Sequence, residues 1–111
     1  MKKYLLAAIL LAPLMSPTAF AECSKEAAPT IPDGASASED EMKAGQQAVK
    51  AYIASSNAYL ECLDAEGVAA GAEELPEFKD ARVSNYNAAV DEQTAVADSF
   101  NAAVKAFKAQ P

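Results

Sequence analysis

Residues 76 to 108 read PEFKDARVSNYNAAVDEQTAVADSFNAAVKAFK. Along them Val83, Tyr86, Val90, Gln93, Ala97, Phe100, Val104 and Phe107 follow in alternating steps of three and four for more than three heptads. This is the spacing of a helix laid lengthwise on a partner helix. Pro76 suits the first helical position, where its missing N–H is harmless. Glu77 and Asp80 then stand at the positive end of the helix dipole, with Lys105 and Lys108 at the negative end.

The partner lies upstream. Ser38-Glu39-Asp40-Glu41 matches a capping box, in which the serine oxygen accepts an orphan backbone N–H and the glutamate reaches back to the cap. From there Met42, Gly45, Val49, Tyr52, Ser56, Tyr59 and Leu63 recur at three-four spacing, with Ile53 and Leu60 widening the stripe. The first helix is expected to end near Glu66, where Gly67 offers an exit. Residues 67 to 75, with two glycines and the pair Glu73-Glu74, read as a connector. No β-type alternation occurs anywhere in the chain. The expected fold is all-α: an antiparallel two-helix hairpin of coiled-coil type, with helices over about 38–66 and 76–108. A turn placed at Gly71 pairs Ser56 with Tyr86, Tyr52 with Val90 and Met42 with Phe100.

The N-terminal segment is of another kind. Lys2 and Lys3 precede the apolar run Tyr4 to Met15, and Ala19-Phe20-Ala21 has the small-x-small pattern of a cleaved export signal. Pro13, Ser16 and Pro17 interrupt that run well short of the roughly 18 to 20 apolar residues of a membrane span. Cleavage after Ala21 is expected, with the product periplasmic or secreted and without a stable membrane anchor. The acidic Glu22 before Cys23 disfavours a lipoprotein signal, which requires a small residue there.

Residues 22 to 37, with Pro29, Pro32 and Gly34, form an extended arm, and the hairpin occupies residues 38 to 111. Cys23 and Cys62 are the only cysteines, and an even count in a small exported chain reads as a disulfide. Their separation rules out a C-x-x-C redox pair. The arm enters the first helix at Ser38, about 36 Å from Cys62 along that helix. Its residues can span about 50 Å when extended. Bridging therefore requires the arm to run back along the helices, with Asp33-Gly34 making the reversal and Ile31 dropping into the groove between them.

The elements Cys23, Pro29-Thr30-Ile31-Pro32-Asp33-Gly34, Glu41-Met42 and Tyr59-Leu60-Glu61-Cys62-Leu63 resemble a group of short exported bacterial proteins of unknown function. The resemblance implies a fold and no activity.

Composition narrows the chemistry. The chain contains no histidine, hence no usual general base, nucleophile activator or principal transition-metal ligand, and no G-x-S-x-G motif. Of its 9 basic residues two belong to the export signal, so 7 face 16 acidic side chains in the mature part, a formal charge of −9. Such a charge disfavours nucleic acid and anionic lipid as partners.

The charge concentrates at the turn, where Glu61, Asp64, Glu66, Glu73, Glu74, Glu77 and Asp80 oppose only Lys79 and Arg82. That pole is a candidate surface for a basic partner or for a hard divalent cation held by oxygen ligands, although no EF-hand spacing is present. Tyr52, Tyr59 and Tyr86 read as packing residues by their heptad positions. The expected role is a non-catalytic structural or interaction module of the bacterial envelope, without cofactor or resident metal, docking an envelope protein. A stress holdase and a weak cation binder are the alternatives. Phe78 and Val96, with Ile53 and Leu60, mark an expected face for weak homodimerisation.

Overall fold

A computed structural model describes residues 23–111. The export signal expected over residues 1–21 and the cleavage expected after Ala21 lie outside the described residues. Two helices, α1 (Glu39–Ala70) and α2 (Pro76–Lys108), pack against each other as a hairpin. They are joined by a short 3₁₀ turn, Gly71–Glu73. At 1.5 Å per residue each helix is about 50 Å long. No helix among the described residues is long and apolar enough to cross a membrane.

The capping box forms as the sequence requires. Glu41 N–H donates to Ser38 Oγ (3.1 Å), and Ser38 N–H donates to Glu41 Oε1 (2.8 Å). The buried stripe of α1 is Met42, Gly45, Val49, Tyr52, Ser56 and Leu63, all of them seam positions in the sequence. The far end of α1 departs from expectation, because the helix runs through Gly67 to Ala70. Gly67 lies under the Arg82 guanidinium, where a Cβ would stand 2.5 Å from Arg82 Cζ. This glycine admits a neighbour, and the exit falls to Gly71 at φ +57°, a conformation that favours glycine.

Lengthening α1 resets the register. Ser56 Oγ donates to Gln93 Oε1 at 3.0 Å, so Ser56 faces Gln93 where Tyr86 was expected, a displacement of seven residues. Moving the turn by half a heptad shifts opposed residues by a whole one, so Gln93 stands opposite Ser56 in place of Tyr86, its equivalent one heptad earlier.

The arm runs back along the hairpin as the cysteine positions demand, and Cys23 and Cys62 are joined with Cα atoms 5.6 Å apart. Asp33 makes the reversal: its carbonyl accepts from Ser36 and Ala37 N–H, and its side chain accepts from Ala35 N–H. Ile31 packs against two clusters at once. One is Ala37, Met42 and Ala103, the other Val49, Tyr52 and Val96. The arm approaches closely enough to require glycine at two points. A Cβ on Gly45 would stand 2.7 Å from Pro32 Cγ, and one on Gly34 would run into the Ala103 carbonyl.

This third layer rotates the buried face of α2. Ala89, Val96 and Ala103 are buried, while Val83 and Val90, both expected in the seam, are 43% and 38% exposed. The most enclosed line on α2 is the one covered by both α1 and the arm. Val96, expected on an association face, therefore belongs to the core.

Candidate functional site

Two regions carry polar organisation. The first is the clasp of the arm. Glu92, on α2 beside the seam, accepts from the Tyr52 hydroxyl of α1 and from Lys25 Nζ of the arm on one carboxylate oxygen, tying all three layers together. Lys25, with Tyr52 second, holds the Glu92 carboxyl below the usual carboxylate range. Burial, followed by the Glu92 hydrogen bond and charge, pushes the Tyr52 hydroxyl up to about 12. At the other end of the arm, Gln110 Nε2 donates to the carbonyls of Gly34 (2.6 Å) and Ala37 (2.9 Å). Next to the clasp, on its turn side, Ser56, Gln93 and Asn57 form a chain of side-chain bonds that satisfies the buried Ser56 hydroxyl.

None of Lys25, Glu92 or Gln110 stood out in the sequence. Their partners lie 40 to 76 positions away, so no local spacing marks them. The available signal was a charged residue, Glu92, immediately beside a heptad seam position.

The second region is the turn pole. The structure divides its seven acidic residues. Glu74 receives Arg82 Nε (2.9 Å) and Nη2 (2.8 Å) in a bidentate pair that closes the connector over the start of α2. The hydrogen bond from Arg82 lowers the Glu74 carboxyl, and Glu74 in turn raises Arg82. Glu74 is thus a structural ion-pair partner. Glu61, Asp64, Glu73, Glu77 and Asp80 are exposed.

Among the described residues, three potential ligand atoms converge only at Cys23, Cys62 and Glu66, where the disulfide already uses both sulfurs. The pole's carboxylates do not gather around one point. Its apolar content is the feature missing from the charge pattern: Val68 is 81%, Phe78 63% and Leu75 52% exposed, and all three lie within or beside the turn. Of the tyrosines among the described residues, Tyr52 is buried, and Tyr59 and Tyr86 are half-buried. Comparison with known proteins gave no match to a family model, a curated protein or a solved structure.

Proposed function

We propose that the chain is an exported, non-catalytic interaction module of the bacterial envelope, a stapled helical rod that docks a protein partner at its turn end. One observation carries this reading: Val68, Leu75 and Phe78 are all exposed within or beside the turn, in a part of the hairpin that also carries the exposed Glu61, Asp64, Glu73, Glu77 and Asp80. Exposed apolar residues rimmed by charge are the pattern of a protein contact site. The matching partner presents an apolar pocket with a basic rim, and its affinity falls with salt. A disulfide-closed fold suits the periplasm or the extracellular medium. The sequence without histidine supports a binding role over a catalytic one.

The test is photo-crosslinking in intact envelopes, with the reactive group placed at position 78 and, as control, at the exposed Ala102. A partner trapped from position 78 alone, and lost in Val68→Ser/Leu75→Ser, is the expected result. Equal labelling from both positions would refute docking at the turn.

A further inference from the structure

The arm fills the groove on one side of the helix pair, through Pro32 against Gly45 and Gly34 against Ala103. One residue further round each helix, a second groove begins. It is open, with shallow hollows of about 170 Å³ and 330 Å³ lined by Gln46, Ile53 and Leu60 of α1 and Val90, Ala97 and Val104 of α2. Residues seven apart share a face. The outer ridge of this side is therefore Val83, Val90, Ala97 and Val104 on α2. On α1 it is Lys43, Lys50, Asn57 and Asp64.

Both ridges are symmetric about one level. Val83 and Val104, like Val90 and Ala97, are equidistant from the midpoint of Gln93 and Thr94. Lys50 and Asp64 are equidistant from Asn57. Gln93 Nε2 donates to Asn57 Oδ1 at 3.1 Å, so the two centres lie side by side.

We propose that this groove is the contact between two copies of the chain, related by a two-fold axis that crosses the helices at the level of Asn57 and Gln93. Under that operation α1 lies antiparallel on α1, and α2 on α2. Val83 meets Val104 of the second copy, and Val90 meets Ala97. Lys50 meets Asp64 of the second copy, twice by symmetry. Asp80 and Lys108, each fourteen residues from Thr94, are brought together in the same way. All four charged residues are exposed, and none makes an ion pair with another described residue.

Charge selects this axis over the other face-to-face arrangement. A two-fold parallel to the helices would stack acidic poles on each other, with Asp64 and Asp80 of both copies at one end, and like charges across an interface cost affinity. The ridge from Val83 to Val104 is about 32 Å long, and two helices side by side are about 20 Å wide. Each copy thus offers about 600 Å². The total of about 1,200 Å² lies at the lower edge of specific interfaces, which fits a concentration-dependent dimer.

Sedimentation equilibrium of the disulfide-intact mature protein from about 1 to 500 µM tests this, a range bracketing micromolar to sub-millimolar affinity. The mass should rise toward that of a dimer. Lys50→Asp should lower the association constant at least about tenfold, and Lys50→Asp/Asp64→Lys should return it to within about threefold of the original. Val90→Glu, at an exposed position, should abolish association without changing the monomer's helicity. A monomeric mass throughout overturns the proposal. So does association that ignores these substitutions, or a double variant that fails to recover. The turn-end residues Val68, Leu75 and Phe78 are not on this ridge, so docking at the turn stands or falls separately.

Discussion

Tyr52 and Glu92 show at single-residue scale how the arm is held. The Tyr52 ring packs with Val49 and Val96, and its hydroxyl shares Glu92 with Lys25. The two titrations act in opposite directions on stability. The Glu92 carboxyl is held below its ordinary value, so its contribution is present above the unfolded value of about 4.3 and is lost as pH falls through the folded one. Tyr52 is raised to about 12, so its contribution is full below about pH 10 and is lost as pH climbs through the raised value. Glu92→Gln should therefore lower the urea midpoint by a constant amount between about pH 5 and 9, and that gap should close below about pH 4. A gap that persists undiminished in acid would contradict the assignment. Spectrophotometric titration should show one tyrosine step near pH 12 that moves down in Glu92→Gln.

Among the elements, the connector sets the register. α1 continues past Gly67 because Val68, Ala69 and Ala70 tolerate helix and Arg82 needs the space above Gly67. The reversal then depends on Gly71 at φ +57°, where a side chain meets no neighbour but the backbone conformation itself is unfavourable. Gly71→Ala should cost about 1 kcal/mol in chemical denaturation, and Ala72→Gly should not reproduce that loss by the same route. An unchanged midpoint in Gly71→Ala would show that the turn can be remade with another residue at the bend. The bidentate Arg82–Glu74 pair closes the same connector, which is why Glu74 differs in role from the exposed carboxylates around it.

At the scale of the whole molecule, three thin layers are fastened by one covalent bond. Neither cluster of buried residues is large, and Ile31 of the arm belongs to both. Closing a loop across the 39-residue separation of Cys23 and Cys62 contributes about 4 kcal/mol in the chain-entropy picture. Non-reducing mass spectrometry should show a monomer two hydrogens lighter than its reduced form. Reduction should lower the Tm by an amount on the order of 15–30 °C for a domain of this size while leaving most helicity at room temperature. A Tm that is indifferent to reductant would mean that packing alone secures the arm.

The sequence by itself determined the two helices, the capping box, the seam of α1 and the pairing of the only two cysteines. Each follows from local chemistry, periodicity or chain reach. It also dictated that the arm must double back, because Cys62 is too far from Ser38 for any other path. Register was not legible in the same way: a heptad repeat presents equivalent seam residues after a slip of seven, so only the actual length of α1 chooses between Tyr86 and Gln93 opposite Ser56. The line Ala89, Val96, Ala103 became the buried face of α2, in place of Val90 and Ala97, because two neighbours cover it. The joining of Lys25, Tyr52 and Glu92 was likewise decided only when the arm was laid on the hairpin, since contacts between distant segments are properties of the packed layers and leave no spacing in the chain.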